Sequence, residues 1–306
     1  MRRLLQLRLR TFCLLGLIGL VGVLSVSWLF GNQLCAACNH SVKAPSDLPV
    51  RAVTFPSKSG ATIHGWLIAP KKPNGVVILQ HGVRSCRSSL LDRARFLVAA
   101  NYAVVLFDFQ AHGESIGKQI TFGYLESRDS QAAVAFAKKE YPGKPIGVLG
   151  VSLGGAAALL AEPSLDVQAL VLESVFPTLV DATKDRLEWV LCRPARMLSP
   201  LLTCQTKFRS GISCDDLCPQ EHVAKIKVPK LFLAGTADPR TKISESQQMF
   251  ALAADPKTFV PVEGANHEDL HHYLGKRYEK LVLDFLNEHL HKPDAVLIPT
   301  ASTKQF

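Results

Sequence analysis

Residues 145–161 read PIGVLGVSLGGAAALLA, and the fold of the chain turns on them. PIGVLG is a short apolar run of the kind that forms a strand buried on both faces of a parallel sheet. The stretch 153–161 is rich in strong helix formers. Between them, Gly150-Val151-Ser152-Leu153-Gly154, followed by Gly155, leaves space only for a sharp bend. A serine on such a strand-to-helix bend adopts strained backbone angles, and glycines two before and two after it let the chain segments approach. The helix that follows points its amino end at the serine, where it stabilises developing negative charge. G-x-S-x-G by itself is a weak signal, because a glycine-rich turn capped by a serine would also carry it. The strand before and the helix behind favour an exposed nucleophile, Ser152.

Working outward, apolar runs and helical spacing alternate. Residues 50–56 and 61–68 predict two strands joined at Ser59-Gly60, a hairpin. Buried strands are predicted at 75–80 (GVVILQ), 102–107, 145–150 and 168–172, and further strands at 230–234 (KLFLA) and 258–261. Helical spacing covers 88–100, 124–140, 153–161, 243–254 and 274–291. Residues 175–220 break the pattern with clustered cysteines, three prolines before position 219 (Pro177, Pro194, Pro200) and no clear strand, and read as an inserted cap. The alternation predicts an α/β domain over residues 50–292, with a mostly parallel sheet covered on both faces. Such sheets place reactive groups beyond the carboxyl ends of their strands.

A serine hydroxyl needs a base. His267, in the loop after the last predicted strand, is placed to supply it, although a solvent-exposed loop histidine would look the same. His271 and His272 lie nearer the final helix and read as surface residues. Asp238, directly after KLFLA, is the candidate acid, with a turn-capping role as its alternative. Glu173 is the reserve and Asp255 a distant third. An oxyanion needs two N–H donors, for which Leu153, after the nucleophile, and Val83, in the loop after GVVILQ, are the candidates. His81 reads as a structural residue beneath that loop.

The amino end is of another kind. Residues 11–30, TFCLLGLIGLVGVLSVSWLF, carry no charge, and twenty helical residues span ~30 Å, the thickness of a bilayer core. Four arginines precede them and no acid does, so residues 1–10 are expected in the cytoplasm and the rest across the membrane. A cleaved signal peptide, giving a secreted protein, is the rival; the apolar run is long for one. Lipid modification at Cys38 is a weaker third option. Residues 31–49 read as a linker and 293–306 as a flexible tail. The net charge of +9 reduces to +5 once those arginines are set aside, and the remaining basic residues are scattered, which argues against nucleic-acid binding. Four of the eight cysteines (Cys192, Cys204, Cys214, Cys218) fall in the cap, where an oxidising compartment would favour two disulfides. Their Cys-x11-Cys-x9-Cys-x3-Cys spacing is a poor zinc pattern, and no metal site is expected.

Taken together, His81-Gly82, Asp108–Ser115 (DFQAHGES), Gly150–Gly155 (GVSLGG), Gly235–Pro239 (GTADP) and Gly264–His267 (GANH) resemble, in kind and order, the α/β-hydrolase superfamily. The chain is most similar to its small serine-aminopeptidase-like branch, also called α/β-hydrolase domain-containing proteins. It departs from them at Gln110-Ala111, where relatives carry an arginine-glycine or similar pair. The resemblance implies an eight-stranded sheet, no cofactor, a cap that shapes the pocket, and acyl transfer to water through Ser152, His267 and Asp238. A carboxylic ester, small-molecule or lipid, is the first expectation for the substrate. A peptide or thioester is the second, and a binding protein that kept the fold without activity the third. Apolar cap residues (Leu187, Trp189, Val190, Leu191, Met197, Leu198) fit an acyl pocket or cap-to-core packing equally well.

Overall fold

A computed structural model of the protein describes residues 2–290; the predicted tail lies outside them. The chain opens with helix α1 (Arg2–Cys35) and a two-residue strand β1 (Cys38–Asn39). It continues through β2 (Arg51–Pro56), β3 (Thr62–Ile68), β4 (Val76–Gln80), α2 (Leu91–Ala99), β5 (Ala103–Phe107), β6 (His112–Gly113) and α3 (Tyr124–Glu140). Next come β7 (Ile146–Val151), α4 (Leu153–Leu159) and β8 (Ala169–Glu173), and then the short cap helices α5 (Leu179–Val190), α6 (Ser199–Thr203), α7 (Gln205–Ser210) and α8 (Pro219–Val223). The chain returns to the sheet with β9 (Lys230–Gly235), α9 (Ile243–Leu252) and β10 (Lys257–Val262), and ends on α10 (Leu270–Leu274) and α11 (Lys276–Leu290).

Eight strands form one sheet in the order β10-β9-β8-β7-β4-β5-β3-β2. β2 pairs antiparallel with β3, and β3 antiparallel with β5; the other pairings are parallel. The central strands are apolar along their whole length because both faces are covered. Val76, Ile78, Val105 and Phe107 face one core with α3 and α4, while Val77, Leu79, Val104 and Leu106 face another with α2 and α11. Gln80 pairs with Gly150, Val151 with Glu173, and Gly235 with Val262, so the parallel strands end along one edge.

Several expectations are corrected. The amino-terminal helix does not stop at Phe30 but reaches Cys35, and its span from Arg8 to Cys35 is long and apolar enough to cross a membrane. The segment 31–49 is more than a linker, since Cys38 and Asn39 pair with His112 and Gly113, and Asn39 Nδ2 donates to the Ser115 carbonyl at 3.0 Å. The final helix starts at Lys276, close to the expected 274, and is preceded by an added turn α10 that Asp269 caps and that ends at Gly275, whose φ of +53° lies in the left-handed region. The four cap cysteines are free thiols: Cys214 faces the Thr203 carbonyl and the Thr206 hydroxyl, Cys218 is buried, and Cys192 and Cys204 are exposed.

Candidate active site

The bend after β7 is built by close approach. A Cβ on Gly150 would meet the Gly155 nitrogen, and one on Gly154 would meet the Gln80 carbonyl. Both contacts involve backbone that cannot yield. Ser152 therefore sits at φ +50°, ψ −109°, a conformation costly for an L-residue, with its N–H held by the Glu173 carbonyl at 2.8 Å. The buried bend presents the residue to a cavity of about 770 Å³.

His267 lines the same cavity from the loop after β10. Its Nδ1 lies 2.7 Å from Asp238 Oδ2. The other carboxylate oxygen accepts N–H bonds from Arg240 at 2.8 Å and Thr241 at 2.9 Å, so the fully buried acid is fixed by its own turn. An ionised acid at that distance assigns the proton to Nδ1 and leaves Nε2 as the basic nitrogen. Among the described residues Nε2 has no hydrogen-bond partner.

The reserve acids are not at this site. Glu173 is buried and committed to Arg93, whose Nη2 approaches it at 2.7 Å, and to the Tyr278 hydroxyl. Arg93 also reaches Asp269, and this cluster ties β8 to α2, α10 and α11. Asp255 does not line the cavity. His272 is exposed as expected, but His271 is not a surface residue: it packs on Phe96 and Tyr278 and faces Glu279 at 3.3 Å.

Val83 and Leu153 both line the cavity near Ser152. The N–H of Leu153, the first residue of α4, has no intrahelical acceptor, and that of Val83 has none among the described residues. The loop carrying Val83 is held from below. The Phe109 N–H donates to His81 Nε2 at 3.1 Å, and His81 Nδ1 donates to the Gly82 carbonyl at 2.8 Å. The Arg84 N–H donates to His112 Nε2 at 3.1 Å. Burial pushes His81 down to about 3 and lowers His112, so both rings are neutral and able to accept these bonds. At the departure noted in the sequence, Ala111 holds a φ of +60°, and Gln110 Nε2 donates to Glu126 at 2.8 Å.

The cavity has walls the sequence did not point to. Gly19, Val23, Val26 and Phe30 of α1 close one side. Their contribution depends on α1 seating against the cap: Ser27 Oγ donates to the Leu201 carbonyl at 2.8 Å, and the Arg209 guanidinium lies 3.9 Å from the centre of the Trp28 ring. Leu187, Val190, Leu191 and Leu198 line the cavity, whereas Trp189 and Met197 do not, which separates the two readings of the apolar cap residues. Chemically, the arrangement offers a hydroxyl, a basic nitrogen oriented by a buried carboxylate, and two unused N–H donors.

Comparison with known proteins agrees with the fold. Residues 71–210 match the family model described as serine aminopeptidase, S33. YqkD of Bacillus subtilis is 25% identical over 240 residues, covering 77% of this chain and 79% of that protein. The Mycobacterium tuberculosis protein Rv2307c is 28% identical over 272 residues, covering 86% and 90%. Among solved structures, the Pyrococcus furiosus esterase Pf2001 aligns with a TM-score of 0.68 at 23% identity, over 82% of this chain and 96% of its own. The Exiguobacterium antarcticum esterase aligns at 0.59 and 15%, over 78% and 100%.

Proposed function

We propose that this chain, which has the α/β-hydrolase fold, is a serine esterase working through an acyl-enzyme. The observation that carries the reading is the 2.7 Å contact of His267 with buried Asp238, made in the cavity that Ser152 also lines. His267 Nε2 takes the Ser152 proton as Oγ attacks the ester carbonyl. The N–H groups of Val83 and Leu153 hold the oxyanion. The imidazolium returns its proton to the leaving alcohol, and water activated by the same nitrogen releases the acid and restores the serine.

An ester fits this cavity better than a peptide with a free amino terminus. An ammonium group requires a carboxylate, and the lining residues include four arginines and no Asp or Glu. The long helix α1 serves as a retained membrane anchor with the catalytic domain on the far side. Retention is supported by its bonds to Leu201 and Gln205, which cleavage beyond position 30 would remove. The mature protein is then expected to begin within residues 1–10 by intact mass.

The test is hydrolysis of p-nitrophenyl esters, thioesters and aminoacyl amides by the full-length protein in detergent. Ester turnover lost in Ser152→Ala supports the reading. Turnover unchanged by that substitution, or confined to the aminoacyl amides, refutes it.

A further inference from the structure

The cavity combines features that a general esterase does not need. Its apolar wall is partly the membrane helix itself, and the ionisable side chains around it include Arg84, Arg186, Arg209 and Arg240. Two of these are committed: Arg84 to the Gln33 carbonyl, and Arg209 to Asn32, Gln205 and Trp28. The other two are not. Among the described residues, neither the Arg186 nor the Arg240 guanidinium makes a hydrogen bond or ion pair. Each lies against the Trp189 ring, at 5.5 and 5.6 Å from its centre. Both are half-buried. Burial lowers the pKa of each, and the charge of Arg240 lowers that of Arg186 further. Two like charges kept together and half-desolvated, with no acid beside them except Asp238 near Arg240, are unfavourable unless something anionic joins them. Arg240 follows the Asp238 turn, so the pair borders the catalytic groups.

Resting on the serine-esterase reading above, we propose that the substrate is a phosphate-bearing acyl ester of the membrane, its chain lying against α1 and its phosphate held by Arg186 and Arg240. Guanidinium forks match phosphate oxygens in geometry and charge. A lipid chain fits the other wall, because Gly19 and Gly22 leave open space where side chains would stand and Val23, Val26 and Phe30 supply apolar contact. The exposed apolar residues Trp189 and Met197, which do not line the cavity, are consistent with a cap resting on the bilayer surface.

The full-length protein in neutral vesicles is given three esters: 1-oleoylglycerol 3-phosphate, 1-oleoylglycerol, and the water-soluble 1-butyryl analogue of the first. The phosphate-bearing oleoyl ester is expected to exceed the neutral one in kcat/KM by about tenfold or more, the scale of one charge-assisted bond. It should also exceed the butyryl ester. Arg186→Gln and Arg240→Gln each bring the phosphate-to-neutral ratio towards one, while Arg186→Lys retains part of it. A wild-type ratio near one, or a ratio unmoved by both glutamine variants, overturns the phosphate site. Preference for the butyryl ester overturns the membrane source. In either case Ser152-dependent turnover would leave the esterase reading standing; absence of any Ser152-dependent turnover would remove both.

Discussion

Two regions meet at the cavity and are held by opposite means. Along the carboxyl edge of the sheet, side chains are tied to backbone or to a buried partner: Asp238 by two N–H bonds, His81 and His112 by loop amides and carbonyls, Glu173 by the Arg93 guanidinium. In the cap, thiols stay free, the Arg186 guanidinium has no ion-pair partner among the described residues, and Trp189 and Met197 are exposed. The edge has the rigidity that proton transfer and oxyanion binding demand. The cap has the unspent groups that selection among substrates demands. Changes at the edge should therefore act on turnover by orders of magnitude, and changes elsewhere on stability or preference.

The largest effects belong to the proposed nucleophile and base. Ser152→Ala and His267→Ala should each lower kcat by about 10⁴–10⁶-fold with little change in melting temperature. Asp238→Asn should follow at about 10⁴-fold, because an amide at that position favours the wrong imidazole tautomer; its pH–rate profile read beside the far-ultraviolet spectrum separates this from misfolding. Arg93→Ala should act differently. It leaves Glu173 buried without its cation and should cost about 3–5 kcal/mol in stability by thermal unfolding, with the catalytic groups themselves untouched.

A smaller effect concerns the seat of the cap on the core. Lys242, at the start of α9, meets Asp185 at 2.9 Å and Glu188 at 2.7 Å. Beside them burial, reinforced by Asp185, pushes Glu245 up to about 8 from the ordinary 4.5. A carboxyl whose folded-state pKa is raised favours the folded state fully below about 4.5. That contribution is lost as pH rises through about 8. Stability should fall over this window, and Glu245→Gln should flatten the difference; parallel slopes in the two proteins would show that Glu245 stays ionised.

The sheet and its edge were legible because their signals are local. A strand buried on both faces must be an apolar run, as at 75–80 and 145–150, and a nucleophile bend must carry small residues where Gly150 and Gly154 stand. That His267 and Asp238 would meet could be read from position alone, each in a loop after its strand. What was not legible is non-local. Nothing within residues 31–49 marks Cys38 and Asn39 as partners of His112 and Gly113. Glu173 could pass for a catalytic acid until Arg93, eighty positions earlier, is seen to neutralise it. Gly275, by contrast, was a local cue, a glycine at the edge of the helical pattern where the added turn α10 ends. The role of α1 as a wall of the cavity has no trace in its composition, which a plain anchor would share.

The most direct test is to treat the full-length protein with a fluorophosphonate and map the adduct by peptide mass. A single adduct on the peptide containing Ser152, suppressed by His267→Ala, is the predicted result. An adduct on another serine, or none on folded protein, would contradict the assignment of the nucleophile and its base.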